Sequence, residues 1–321
     1  MDRKAPLPFR LGVSRCLLGE NVRYDGGHKL DRFVRDELGR FFTLVPVCPE
    51  VECGLPVPRE AMRLVGAPEL PRLVTRTTGL DHTRRMTEWA QGALDRLEAE
   101  GLCGFVFKYG SPSSGPSQVK VYPEGGGVPS RRGVGLFARL FRERFPLLPV
   151  EDEGRLHDPE LRENFIGRVF VMARWRELLA QEPAPGRLVD FHTRHKLLLM
   201  AHSPIAYREL GRLVAEAKGR NFQELLAEYA AKLFAALTLT ATVKKNVNVL
   251  QHVMGYFKKQ LTTDEKQELL EVIGAYGREL TPLIVPVTLL NHYVRKHGQE
   301  YLASQVYLNP HPLELKLRNH A

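Results

Sequence analysis

The chain has 321 residues, 43% of them hydrophobic and 26% charged, which is room for about two domains of ordinary globular composition. No apolar run reaches the roughly 18 residues of a membrane span. The nearest, residues 283–290, is broken by Pro286, and the start Met1-Asp2-Arg3-Lys4-Ala5-Pro6 lacks the apolar core of a secretory signal, so a cytoplasmic protein without membrane contact is expected. The formal charge of +9 suits a polyanionic partner such as nucleic acid, though it also occurs in ordinary basic enzymes. The excess is uneven: residues 101–150 carry seven Lys/Arg against two acids, Glu124 and Glu143.

In chain order, Leu11-Gly12-Val13-Ser14 reads as a short strand ending in Arg15-Cys16-Leu17-Leu18-Gly19. A turn-rich loop follows, whose Asp25-Gly26-Gly27 favours unusual backbone angles. Residues 31–38 read as a short helix stopped by Gly39, and residues 41–47 as a second strand. Strand, loop, helix and strand imply a parallel crossover, which opens the loops carrying Cys16 and Cys48 on the same carboxyl edge. Residues 60–80, dotted with Pro68 and Pro71, read as irregular with short strands. Met86, Trp89, Ala90, Ala93, Leu94 and Leu97 recur at helical spacing, and Gly101 ends that helix. Residues 103–107 form a third strand running into Lys108-Tyr109-Gly110-Ser111-Pro112-Ser113-Ser114-Gly115, too rich in Gly, Pro and Ser to be regular. Residues 118–122 alternate like a strand and residues 135–145 look helical.

These elements make residues 1–150 an α/β domain with a mainly parallel sheet. The acidic, proline-flanked residues 149–156 read as a linker. Residues 151–321 then read as all-α: a helix from Asp158-Pro159-Glu160 to about residue 179, and others near 187–201, 204–218, 221–237, 240–261, 264–279 and 286–297. Ser203-Pro204 and the capping box Thr262-Thr263-Asp264-Glu265 mark two of the starts.

Four cysteines in a chain read as cytosolic point away from disulfides and towards metal, catalysis or burial. Cys103, on an apolar strand, reads as a core residue. Cys16 and Cys48 each stand where a strand meets a polar loop. Cys48 and Cys53 have a spacing compatible with zinc, but no second close pair or His-x3-His accompanies them; an iron–sulfur cluster held from separate loops needs no local spacing. Asp25, Glu50, Glu52, Arg59, Lys108 and Ser111 all fall on loops at the same expected sheet edge. Each alone reads as a turn-former or solvated charge; with two thiols they form a candidate site. His192, His195 and His202 share a helix and its end, where packing or RNA-facing roles are favoured over metal.

Three blocks carry a resemblance. Ser14-Arg15-Cys16-Leu17-Leu18-Gly19 with Arg23-Tyr24-Asp25-Gly26, then Cys48-Pro49-Glu50 with Gly54-Leu55 and Pro58-Arg59, then Lys108 with Ser111-Pro112-Ser113 and Gly115, resemble the thiouracil desulfidase family. Asp190-Phe191-His192, Ala201-His202-Ser203, Asn248-Val249-Leu250-Gln251-His252 and Asn309-Pro310-His311-Pro312 resemble the helical domain of unknown function often fused to it, and the pair resembles bacterial tRNA 4-thiouridine desulfidases. The resemblance implies a 4Fe-4S cluster with Cys16 and Cys48 as ligands, Glu50 for proton transfer, Ser111 for positioning substrate, and Asp25, Arg59 and Lys108 for binding it. It implies tRNA or a thiolated nucleotide as partner. The chain departs from the family at one position: the family's Ser-Pro-Ser-Cys-Gly is Ser111-Pro112-Ser113-Ser114-Gly115 here, so the third ligand is a serine. Three readings stand: Ser114 ligates weakly, Cys53 or Cys103 substitutes with Cys53 the better placed, or the cluster is lost. A cluster-less protein that binds thiolated RNA and a desulfidase of free thiouracil are the alternative functions.

Overall fold

A computed structural model describes residues 9–182 and 184–319 of the chain, which divides into two compact units, Met1–Asp158 and Pro159–Ala321. The first unit begins with β1 (Arg10–Ser14) and β2 (Thr43–Val47), followed by the single helical turn α1 (Pro49–Glu52). Next come β3 (Met62–Val65), β4 (Arg72–Thr75), α2 (Thr83–Ala99), β5 (Leu102–Phe107), β6 (Val119–Tyr122), β7 (Ser130–Gly133), α3 (Leu136–Arg144) and β8 (Val150–Asp152).

The strands form two sheets. The first has the order β2-β1-β5-β8 and every pairing in it is parallel. Its central strands are apolar and buried on both faces: Leu11 and Val13 are fully buried, as are all six residues of β5. Phe105 and Phe107 stack at 4.0 Å on one face of β5, where Phe141 of α3 meets both rings edge-on. Each such fully buried ring contributes about 1.5–3 kcal/mol. Gly12 makes room for this cluster, because a Cβ at that position would lie 2.2 Å from the Phe105 ring.

The acidic segment expected to be a linker is instead part of this sheet. Val150, Glu151 and Asp152 pair with Phe105, Val106 and Phe107, and the compact unit runs on to Asp158. Its acidic composition hid a short strand whose Glu151 and Asp152 are buried. The second sheet, order β4-β3-β6-β7, is mixed: β3 pairs antiparallel with β4 and parallel with β6. The proline-dotted residues 60–80 thus hold two paired strands. The edge strand β7, with exposed Arg131 and Arg132, has no apolar alternation to announce it.

In the second unit the helices are α4 (Pro159–Ala180), α5 (Pro185–His202), α6 (Pro204–Ala215), α7 (Phe222–Leu237), α8 (Val243–Gly255), α9 (Thr263–Gly277), α10 (Ile284–Lys296) and α11 (Glu300–Ala303). The fold class is therefore as expected: an α/β unit with a parallel sheet, and a helical unit. The Ser203 hydroxyl caps α6 by accepting from Ala206 N–H, and the box between Thr262 and Glu265 opens α9. The helix read over 240–261 is shorter, since the chain turns at residues 256–260.

Candidate active site

Loops leave the carboxyl ends of β1, β2 and β5 side by side and enclose a cavity of about 290 Å³. This is the edge at which parallel α/β sheets build their sites. Cys16 lies in a 3₁₀ turn directly after β1, and Gly19 closes that turn at φ 95, a conformation glycine adopts without strain. Cys48 follows β2 and heads α1; its N–H donates to Glu52 Oε1 at 2.8 Å. Glu52 also receives Arg15 at 3.2 Å and Arg96 at 3.1 Å, so it braces the wall from behind rather than lining the cavity.

The serine-rich loop after β5 is fixed by α3. Gly135, Leu136 and Phe137 donate their N–H groups to the carbonyls of Gly115, Pro112 and Ser113 at 2.7, 3.1 and 2.9 Å. A Cβ at Gly135 would lie 2.6 Å from the Ser113 backbone, so only glycine permits this contact. Inside the loop, Ser111 Oγ accepts from the N–H of Ser113 at 3.3 Å and of Ser114 at 3.1 Å. Ser113 donates its hydroxyl to Glu50 Oε1 at 2.6 Å and lies 3.3 Å from Ser114 Oγ. Glu50 Oε2 accepts from Arg59 Nε at 2.9 Å and also from its Nη2. Arg59 in turn donates to the Val22 and Pro56 carbonyls at 3.0 and 3.1 Å. The result is a continuous chain of polar contacts, Ser114–Ser113–Glu50–Arg59, along one side of the cavity.

Of the residues singled out from the sequence, the cavity gathers Cys16, Cys48, Glu50, Arg59, Lys108, Ser111 and Ser114. Lys108 is held by Glu153 and by the Tyr109 carbonyl at 2.9 Å. Asp25 is not on the wall: it is exposed, accepts from Gly27 N–H at 3.1 Å, and that contact and Arg23 hold its carboxyl below the usual range. Cys53 is also outside, its Sγ 3.3 Å from the Glu50 carbonyl oxygen. Cys103 is buried near the amino end of β5, whereas the cavity lies beyond its carboxyl end. Neither proposed substitute thiol therefore reaches the cavity, and Ser114 does.

Sequence reasoning did not find Ser113, Glu153 or Arg76, which lines the cavity from the end of β4. Ser113 could have been suspected from a Ser-rich turn facing an acidic loop; Arg76 lies in a stretch with no readable pattern. His192, His195 and His202 are buried in the helical unit, where Nδ1 of each meets the Tyr229 hydroxyl, the Phe191 carbonyl and the Leu239 carbonyl respectively. They pack; they do not converge.

The model described as 2-thiouracil desulfurase matches residues 11–153, and the model described as a protein of unknown function (DUF1722) matches residues 196–312. The uncharacterized protein YbgA of Escherichia coli K12 is 31% identical over 153 residues, which is 47% of this chain and 90% of that protein. The chain belongs to the thiouracil desulfidase family, fused to the helical domain of unknown function. A solved structure, the [4Fe-4S]-dependent thiouracil desulfidase TudS, is 34% identical over 48% of this chain and 95% of its own, with a TM-score of 0.38.

Within this desulfidase domain the donor chemistry fits an iron–sulfur group, with two thiols and one hydroxyl in place of three thiols. Burial, then the neighbouring Cys48, pushes the Cys16 thiol up to about 12, and burial likewise raises Cys48. The Cys48 Sγ lies 4.0 Å from the Val22 carbonyl oxygen. Two adjacent buried thiols are costly to ionise alone, and cationic iron supplies the missing compensation. Ser114 brings the third donor atom to the same wall, as an oxygen that iron in such clusters holds less well than sulfur. Among the described residues no three His, Cys, Asp or Glu side chains are grouped to hold a metal ion.

Proposed function

We propose that this chain is an iron–sulfur desulfidase that removes the sulfur of 4-thiouridine in tRNA, giving uridine and hydrosulfide without net redox change. The observation carrying the reading is that Cys16, Cys48 and Ser114 line one cavity with the Glu50–Ser113 pair. Cys16, Cys48 and Ser114 would hold the cluster, whose open iron supplies a Lewis acid for the thiocarbonyl sulfur.

The chain's own residues do the rest. Glu50 is the group that takes a proton from the attacking water, which becomes the new carbonyl oxygen as the C–S bond breaks; the Ser113 and Arg59 contacts fix its orientation. Ser111 keeps the loop in register by accepting two backbone N–H groups. Arg23, Lys29, Arg76 and Lys108 on the same wall favour a phosphate-bearing substrate over a free base. The net charge of +9 supports a polyanion as partner.

Anaerobic reconstitution followed by assay of sulfide released from 4-thiouridine tRNA and from free 4-thiouracil tests this. Release from tRNA with little from the free base supports it; release from the free base alone would move the substrate to thiouracil. The serine at position 114 favours a second reading, a protein that binds thiolated RNA without turnover. That reading expects salt-sensitive tRNA binding with no sulfide released.

A further inference from the structure

The second sheet of the α/β unit, order β4-β3-β6-β7, has a basic outer face, and strand register builds it. Leu64, Leu73, Val119 and Val121 are buried on its inner face. Arg63 and Lys120 directly precede the paired residues Leu64 and Val121, so they stand side by side on the opposite face. The edge strand β7 adds two more cations. Val119 pairs with Gly133 and Val121 with Ser130, so Arg131 and Arg132 together stand against the single Lys120. That is a bulge, and it crowds two arginines onto one lysine, all three of them exposed.

At the other side of the sheet, Arg63 pairs with Val74 of β4. Arg76, two residues further on, has the same facing; its N–H donates to the Ala61 carbonyl at 2.9 Å, and it lines the cavity that holds Cys16 and Cys48. The cations therefore form a row across four strands, about 14 Å at about 4.8 Å per strand spacing, and the row ends in the candidate active site.

Like charges this close repel unless an anion neutralises them. Arg72 on the same face is neutralised within the chain, by Asp81 at 3.3 Å and Glu124 at 2.9 Å. Among the described residues Arg63, Arg76, Lys120, Arg131 and Arg132 have no carboxylate partner. Arg63 lies instead over the Tyr122 ring, 5.4 Å from its centroid, and its Nε has no hydrogen-bond partner. Charges on an edge strand also guard against unwanted pairing, but β6 and β3 lie inside the sheet, so that role does not account for Lys120 and Arg63.

We infer that this sheet face carries the sugar-phosphate backbone of an RNA whose thiolated nucleotide enters the cavity beside Arg76. A row of unpaired cations suits the repeating phosphates of one strand better than a single compact anion. The arginine forks suit phosphate oxygens. A row that runs into a cavity also needs a polyanion able to enter it, which an acidic lipid surface cannot do. The inference rests on the reading of the substrate as an RNA.

The test is tRNA binding by the full chain over a range of salt concentrations, together with sulfide release from 4-thiouridine tRNA. Lys120→Gln, Arg131→Gln and Arg132→Gln are combined in one variant. A control with the same loss of charge combines Arg40→Gln, Arg84→Gln and Arg144→Gln, exposed cations already paired with Glu37, Glu88 and Glu98. The first variant should bind tRNA about tenfold or more weakly, and its slope of log affinity against log salt should be shallower by about two to three. Its KM for tRNA should rise with kcat little changed, and the control should match the parent. Weakened, less salt-dependent binding without sulfide release from any of the proteins would support this face and remove the desulfidase reading. Sulfide release with the same KM in parent and first variant would leave the reaction standing and overturn this face. Equal loss of binding in the control, or a parent chain that binds acidic lipid vesicles and no tRNA, would overturn it as well.

Discussion

Ser113 donates its hydroxyl proton to Glu50 Oε1 at 2.6 Å, and this contact ties the loop after β5 to the loop after β2. It leaves Ser113 able only to accept from Ser111 or Ser114, whose hydroxyls lie 3.0 and 3.3 Å away. Ser113 is thus a positioning residue for the carboxylate to which the proposed reaction assigns the proton transfer.

Replacing Glu50 by Gln keeps the shape and removes the base. Sulfide release should fall by about 10²-fold or more in kcat with iron content unchanged. Ser113→Ala should cost less, about tenfold in kcat with KM little changed, because Glu50 loses the donor that orients it. An unaltered kcat in Ser113→Ala would show that the contact is structural only.

Ser114→Cys restores a sulfur donor on the cavity wall. Iron and acid-labile sulfide per chain after reconstitution should rise in this variant, and the cluster should survive air longer. If iron content is the same in both proteins, Ser114 does not face the cluster.

Gly12→Ala places a Cβ 2.2 Å from the Phe105 ring, with no flexible tip to yield. Overpacking of this kind should cost about 1–3 kcal/mol, read as a lower urea midpoint. Phe105→Leu added to Gly12→Ala should recover part of the loss.

The helical unit should be acid-sensitive. Burial lowers His192, His202 and His311 to about 4 and His195 to about 3, from an ordinary 6.5. Unfolding releases these imidazoles to take up protons, so their contribution to stability is complete above pH 6.5 and is lost as pH falls towards 4. The loss approaches about 1.4 kcal/mol per pH unit for each histidine. Urea midpoints measured from pH 7 to pH 4 by helical circular dichroism should fall steadily; a flat profile would contradict the burial.

What was legible in the sequence was what periodicity and strand-end placement carry. Cys16 and Cys48 could be brought to one edge because two apolar strands flanked a short helical segment, and α9 announced itself through Thr262 and Glu265. The strand at residues 150–152 was not legible, because its buried Glu151 and Asp152 look like a solvated linker until Val106 and Phe107 are known to pair with them. The exclusion of Cys53 was equally invisible. It depends on a single turn of helix that points the thiol back at the Glu50 carbonyl.

The central claim is that Cys16 and Cys48 hold an iron–sulfur cluster at which thiolated tRNA loses its sulfur. The most direct measurement is iron, acid-labile sulfide and sulfide release from 4-thiouridine tRNA, determined together on the anaerobically reconstituted chain and on Cys16→Ala and Cys48→Ala. The account predicts a cluster and sulfide release in the parent chain, both lost in each variant. A parent chain that binds no iron, or variants that keep both iron and turnover, would contradict it.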